Sequence, residues 1–72
     1  MEITKKIEVF NTLLTQRIHS SQRMEKSIKE NRDNYTPDQY MYSVYDVIAA
    51  GCIEATNELK SVQDQFNRIF ED

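Results

Sequence analysis

Few side chains of this 72-residue chain are of a type that supports catalysis or metal binding, and their spacing keeps them apart. His19 and Cys52 are the only residues of their kinds, whereas a structural zinc site takes four Cys or His ligands at short spacings. The nearest acid to His19 is Glu25, and their separation does not place two side chains together on a helix. A single glycine, Gly51, cannot form a glycine-rich phosphate loop. We therefore expect no catalytic residue, no cofactor and no metal, and a protein that is not an enzyme.

The bulk properties of the chain also exclude several classes of partner. A net charge of −3 disfavours nucleic-acid binding, which requires a basic surface. No apolar run approaches the roughly 18 residues of a membrane span, and the first residues lack the apolar core of a signal peptide. Cys52 lies in an apolar stretch, where a free thiol serves as a small packing residue and suits a reducing compartment. These features predict a cytoplasmic protein whose partners are proteins.

The elements that carry these residues are predicted to be helices, because glycine and proline occur once each and a sheet would need more turns. We expect one domain over residues 1–72, an antiparallel two-helix hairpin with helices over about 3–30 and 37–70 and a polar loop over about 31–36. Residues 1–36 carry seven Lys/Arg and five Asp/Glu, whereas residues 37–72 carry two and seven. Antiparallel pairing therefore brings a positive half of the chain against a negative half.

The first helix is predicted to pack through apolar residues that recur at steps of four and three. These are Ile3, Ile7, Phe10, Leu14, Met24 and Ile28. The same register places Arg17 and Ser21 in the stripe, so the middle of the stripe is expected to be polar, with Leu13 and Ile18 beside it.

The start of the second helix carries the strongest local signal in the sequence. Thr36 can cap a helix, Pro37 suits the first helical position, and Gln39 can reach back to the Thr36 amide. Tyr35 and Tyr40 occupy the two positions of a hydrophobic staple. We therefore predict that the second helix begins at Pro37.

The second helix carries more apolar surface than the first helix can cover. Its main stripe consists of Val44, Ile48, Gly51 or Cys52, Ala55, Leu59, Val62, Phe66 and Ile69. A second strip on an adjoining face consists of Met41, Tyr45, Ala49 and Ile53. One of these two strips must face the first helix, and the sequence pattern leaves open which one. The other strip needs to be covered by a further surface. We interpret Gly51 and Ala55 as a place of close helix packing, although a helix also tolerates a glycine without a special role.

A loop of this length pairs the helices so that facing residue numbers sum to roughly 67. In this register the second helix is longer, and residues beyond about 65 have no counterpart on the first. The apolar end of the chain, Phe66, Ile69 and Phe70, then either forms a docking surface or folds back on Ile3.

The run Thr36-Pro37-Asp38-Gln39-Tyr40, between a polar loop and a long helix of mixed small and apolar residues, resembles the small helical-hairpin cochaperones of type III secretion needle proteins. The acidic end, Glu71-Asp72, is also similar. The resemblance implies a larger helical-repeat chaperone as the chief partner. Together the two would keep a needle subunit monomeric in the bacterial cytoplasm before export, a role in protein transport and virulence.

Two other interpretations remain open. A homodimer joined by the second strip could form a four-helix bundle with a structural or regulatory role. The chain could also serve another secretion system or act as a small phage-type inhibitor of a host enzyme. In each case the candidate partner-binding residues are surplus apolar side chains of the second helix: Tyr40, Met41, Val44, Tyr45, Ile48, Ala49, Cys52, Ile53, Phe66, Ile69 and Phe70.

Overall fold

The computed structural model describes residues 3–70, which form two antiparallel helices, α1 (Ile3–Arg32) and α2 (Tyr40–Ile69). Within this range there is no strand, and the helices pack side by side into a rod with extents of 54 × 18 × 12 Å. The predicted all-α two-helix hairpin is confirmed. Each helix has 30 residues, so the prediction of a longer second helix is wrong. The acidic end, Glu71-Asp72, lies outside the described residues.

The two helices meet along a seam with the heptad spacing of a coiled coil, in which steps of three and four alternate. The residues at this spacing are buried or half-buried on both helices. On α1 they are Ile7, Asn11, Leu14, Ile18, Ser21, Glu25, Ile28 and Arg32. On α2 they are Tyr42, Tyr45, Ala49, Cys52, Thr56, Leu59, Gln63 and Phe66. The apolar side chains buried at the centre of the seam are Leu14, Ile18, Ala49 and Cys52.

The polar residues of the seam bond to one another across the hairpin. Gln63 Nε2 donates hydrogen bonds to Asn11 Oδ1 at 3.1 Å and to Thr15 Oγ1 at 2.8 Å. Ser21 Oγ donates to the carbonyl oxygen of Cys52 at 3.2 Å. No buried side-chain nitrogen or oxygen among residues 3–70 lacks a hydrogen-bond partner. The polar seam therefore avoids the desolvation penalty of unpaired groups.

Helix α1 is rotated relative to its predicted stripe. Ile18 is buried in the seam, whereas Arg17 is exposed and Met24 is 57% exposed. Consecutive residues lie about 100° apart around a helix. The predicted stripe and the observed seam are offset by one residue, so they lie side by side and share part of the surface of α1. The stripe that contacts α2 is the more polar of the two stripes. It is favoured because its polar residues form hydrogen bonds with α2.

The connection between the helices runs over residues 33–39, so α2 begins at Tyr40, three residues later than predicted. Gln39 has extended backbone, with φ −84° and ψ 141°, and its amide donates to the Thr36 carbonyl at 2.9 Å. The Thr36 amide in turn donates to Gln39 Oε1 at 2.8 Å, so the predicted contact between these residues is present. Pro37 therefore lies in a turn that precedes the helix, which its fixed φ also suits.

Tyr35, in the connection, packs on Tyr45 of α2 and not on Tyr40. Its ring stacks on that of Tyr45, with centroids 5.9 Å apart and planes at 25°. Tyr40, its predicted staple partner, is 81% exposed, so the staple prediction is wrong. The staple needs Tyr40 at the fourth position of the helix, whereas the later start makes it the first.

Arg32 joins the end of α1 to the start of α2. Its Nη1 donates to Asp46 Oδ1 at 2.9 Å, and its Nε donates to Asp33 Oδ1 at 3.1 Å. The guanidinium carbon also lies 5.3 Å from the centroid of the Tyr42 ring. The hydrogen bonds to Asp46 and Asp33 raise the pKa of Arg32 above its usual range, so its charge is constant. Together with the tyrosine stack, these contacts fasten the loop end of the hairpin.

The register between the helices also differs from the prediction. Ser21 bonds to Cys52 and Asn11 bonds to Gln63, so facing residue numbers sum to about 74 instead of roughly 67. The cause is the loop, which is centred about three residues further along the chain than expected.

The C-terminal end of α2 does not overhang in this register. The Phe66 ring lies 4.6 Å from that of Phe10, and the Phe70 ring lies 4.9 Å from that of Phe66. Of the two alternatives for this end, the structure therefore shows folding back, with Phe10 in place of Ile3 as the aromatic contact.

Gly51 and Ala55 are exposed, and α1 does not pack on them. A Cβ atom built on Gly51 would meet no atom within 4 Å. The close-packing interpretation is therefore wrong for this hairpin. The small residues that allow α1 to approach are Ala49, which is 2% exposed, and Cys52, which is 9% exposed.

Candidate protein-binding face

Part of the main apolar stripe of α2 lies beside the seam and is uncovered. Ile48 is 42% exposed, Val62 46% and Ile69 73%. Neither strip packs inward as a whole. The seam takes Tyr45 and Ala49 from the second strip and Leu59 and Phe66 from the main stripe.

Helix α1 adds apolar side chains to the same side of the hairpin. The contact between Phe10 and Phe66 places both rings on that side. Leu13 and Met24 lie close to whole helical turns from Phe10, so they share its flank of α1, and each is more than half exposed. We call this surface the apolar face and define it by Phe10, Leu13, Met24, Val44, Ile48, Ala55, Leu59, Val62, Phe66 and Ile69.

A shallow depression of about 360 Å³ interrupts the apolar face near its middle. Its lining is formed by Arg17, Ser20, Ser21, Met24 and Leu59. The depression exists because the short side chains of two adjacent serines lie between the longer ones of Arg17 and Met24. It is open to solvent, so its shape suits a side chain of a docking protein better than an enclosed substrate.

The opposite side of the hairpin is polar. The hydrogen bonds of Gln63 to α1 and the ion pair between Arg32 and Asp46 lie on this side. Ile53 is five residues beyond Ile48 and therefore about 140° around the helix from it. Although Ile53 is also partly exposed, at 38%, it belongs to this polar side. The hairpin thus has one apolar and one polar face.

One charged side chain lies within the apolar face. Arg17 is seven residues from both Phe10 and Met24, so it stands in the same row of α1, near the middle of the face. Its side chain is exposed and forms no ion pair within residues 3–70. A docking helix therefore meets a cation among the apolar side chains of the face.

The predicted partner-binding residues divide between several environments. Those on the apolar face are Val44, Ile48, Phe66 and Ile69, with Met41 half-buried beside them and Phe70 at the end. Ala49 and Cys52 are buried in the seam, which corrects their assignment to a free surface. Tyr45 is occupied by its stack on Tyr35, and Tyr40 and Ile53 lie off the apolar face.

Two residues of the apolar face, Leu13 and Met24, were not among the predicted binding residues. The sequence assigned Met24 to the stripe that packs within the hairpin and placed Leu13 beside it. The signal that could have identified them is the pair Leu13-Leu14, because two adjacent leucines of a helix cannot both face one neighbour. Leu14 is 7% exposed and Leu13 is 52% exposed.

The His, Cys, Asp and Glu side chains of the described residues do not cluster. Residues 3–70 contain no group of three or more His, Cys, Asp or Glu side chains that could hold a metal ion, and the Cys52 thiol is buried. Neither described helix combines the length and apolarity that a membrane span requires. Comparisons with protein-family models, with curated proteins and with solved structures find no match to this chain.

Proposed function

We propose that the protein is a non-catalytic binding module whose apolar face covers an apolar helical surface of a larger protein. One observation carries this proposal: α1 leaves Ile48, Val62 and Ile69 of the main stripe of α2 exposed. Proteins that act as free monomers rarely expose contiguous apolar surface of this extent, and such patches mark interaction sites.

The size of the hairpin gives a reason why it needs a partner. Among residues 3–70, four apolar side chains are buried, and a core of this size contributes little stability. A partner that binds only the folded hairpin shifts the folding equilibrium toward it. The bound state is therefore proposed as the working form of the protein.

The class of partner follows from the resemblance to needle-protein cochaperones. The proposed partner is a helical-repeat chaperone of a type III secretion needle subunit in the bacterial cytoplasm. A heptad-spaced stripe on a rod is suited to ridges-into-grooves packing against the helices of such a repeat. Covering the chaperone would stabilise it while it holds the needle subunit monomeric.

Replacing Ile48 with aspartate tests the proposal, because it places a charge in the centre of the apolar face. Tagged wild-type protein, expressed in its native host, is expected to copurify with a helical-repeat chaperone. The Ile48→Asp variant is expected to bind that chaperone about a hundredfold more weakly, because the carboxylate would be desolvated at the contact. Copurification followed by mass spectrometry identifies the partner, and titration with the purified partner gives the affinity.

Ile53→Asp is the matched control. Ile53 has similar exposure on the same helix but lies on the polar side, so this variant is expected to retain the partner. Circular dichroism verifies that both variants keep wild-type helicity. Equal loss of binding in both variants, or none in either, would contradict the assignment of the apolar face as the binding surface.

A further inference from the structure

We infer that the occupant of the apolar face is a single amphipathic helix of the partner, and that this helix carries a carboxylate side chain opposite Arg17. The inference rests on the proposed function and adds the chemistry of the surface that the hairpin binds. Three features of the face support it: its width, the cation near its middle and the depression beside that cation.

The centre of the apolar face is a groove between two rows of side chains, one on each helix. Each row has a spacing of seven residues and lies directly beside the seam. The row of α2 is apolar throughout and consists of Met41, Ile48, Ala55, Val62 and Ile69. The row of α1 consists of Ile3, Phe10, Arg17, Met24 and Asn31. Two such rows on one side of a two-helix seam form the seat of a third helix in a coiled coil.

The rows farther from the seam limit the width of the groove. The next row consists of Lys6, Leu13, Ser20 and Ser27 on α1, and of Val44, Gly51, Glu58 and Gln65 on α2. Most of these residues are polar or charged. A second hairpin would lay two helices side by side on the face and bury them, which costs free energy unless each finds a hydrogen-bond partner. A single helix seated in the groove leaves them at its edges, in contact with water.

Arg17 gives the groove a charge that a purely apolar helix cannot match. Its side chain is exposed and forms no ion pair within residues 3–70. A helix that covers the groove removes water from the guanidinium, and a desolvated charge without a partner opposes binding. Arginine and a carboxylate pair through two parallel hydrogen bonds. The complementary helix therefore carries a glutamate or an aspartate among the apolar residues of its contact surface.

Glu58 of the same chain does not serve as this carboxylate. Facing residue numbers sum to about 74, so Glu58 lies nearly level with Arg17. It belongs to the outer row of α2, on the far side of the groove, and none of the ion pairs among residues 3–70 joins the two side chains. A helix seated in the groove lies between them and presents its own acid to Arg17.

The depression on the apolar face provides space for the acidic side chain. Its volume is about 360 Å³, and its lining includes Ser20 and Ser21. The hydroxyl of Ser20 is on an exposed side chain and can donate a hydrogen bond to the same carboxylate. Ser21 Oγ already donates to the carbonyl oxygen of Cys52. Met24 and Leu59 add apolar walls, so the lining suits both the stem and the carboxylate of a glutamate.

Two synthetic helical peptides of about four heptads test the inference. Both have leucine at the heptad contact positions, and they differ at one central contact position, which is glutamate in one peptide and glutamine in the other. Each carries a fluorescent label and is titrated with the full-length chain at a peptide concentration low enough to keep it monomeric. Fluorescence anisotropy is expected to show that the glutamate peptide binds about tenfold more tightly than the glutamine peptide.

Replacement of Arg17 by methionine removes the charge and keeps a long, unbranched side chain. The Arg17→Met variant is expected to lose the preference for the glutamate peptide. Arg23→Met is the matched control, because Arg23 is also an exposed arginine of α1 but lies on a row that faces away from the groove. It is expected to keep the tenfold preference. Ile48→Asp is expected to weaken the binding of both peptides, which places them in the groove.

Equal affinity of the two peptides for the wild-type chain, or a glutamate preference that persists in Arg17→Met, would overturn the inference. Failure of both peptides to bind would do so as well, and so would a dimer of the chain, detected by sedimentation equilibrium, that the peptides do not displace. Copurification of a chaperone that is lost in Ile48→Asp and kept in Ile53→Asp would still support the proposed function in each of these cases. The inference and the proposed function can therefore fail separately.

Discussion

Replacement of Leu14 by alanine is expected to lower the free energy of unfolding by about 2–4 kcal/mol and to leave the hairpin largely unfolded at room temperature. Leu14 is 7% exposed and lies at the centre of a seam in which only four apolar side chains are buried. The truncation removes apolar contact and leaves a cavity between two helices that have no third neighbour to fill it. Urea titration followed by circular dichroism measures the loss.

Leu13→Ala provides the matched comparison for this prediction. The two leucines are adjacent on one helix, so the changes in composition and helix propensity are identical. Leu13 is 52% exposed and contacts solvent, so its replacement is expected to change the free energy of unfolding by less than about 1 kcal/mol. Dilute samples keep self-association out of the comparison. Equal destabilisation by the two replacements would place the seam elsewhere on α1.

Replacement of Ala49 by aspartate is expected to destabilise the hairpin by about 3 kcal/mol or more. Ala49 is 2% exposed, the lowest value among the buried core residues, and its small side chain lets the two helices approach. An aspartate there brings both extra volume and an unpaired charge into the seam. Thermal and urea denaturation, followed by circular dichroism, give the size of the effect.

Ala50→Asp controls for the helix propensity of aspartate. Ala50 is the next residue of the same helix and is exposed. The free energy of unfolding of this variant is therefore expected to differ from that of the wild type by less than about 1 kcal/mol. If Ala50→Asp were the more damaging change, Ala49 would not lie in the seam between α1 and α2.

The local pattern of the sequence was sufficient to predict the hairpin, but its inner and outer faces were not predictable from apolar spacing alone. Two heptad frames overlap on α2, and both include Leu59 and Phe66. The frame that packs on α1 contains Thr56 and Gln63, so it is the less apolar of the two. It is favoured because Gln63 bonds to Asn11 on the other helix, a complementarity that neither helix shows by itself.

The loop shows a similar limit of prediction from sequence. The bond between the Thr36 amide and Gln39 was predictable because capping chemistry depends on a few adjacent residues. Whether that bond closes the first turn of a helix or a separate turn before it depends on the backbone of Gln39, which is extended. This difference of three residues changed the register in which the helices pair. As a result, the predicted overhang of Phe66 and Phe70 does not occur.

Thiol labelling in living cells of the native host measures whether this face is covered when the protein is at work. In a Cys52→Ala background, one variant carries Ala55→Cys on the apolar face and the other carries Asn57→Cys on the polar side. Both positions are exposed in the isolated hairpin. A membrane-permeable maleimide is expected to label the variant with Ala55→Cys much more slowly than the one with Asn57→Cys, and the two equally after denaturation. Equal labelling in cells, or protection of the Asn57→Cys variant alone, would contradict the assignment of the apolar face as the surface that the protein uses.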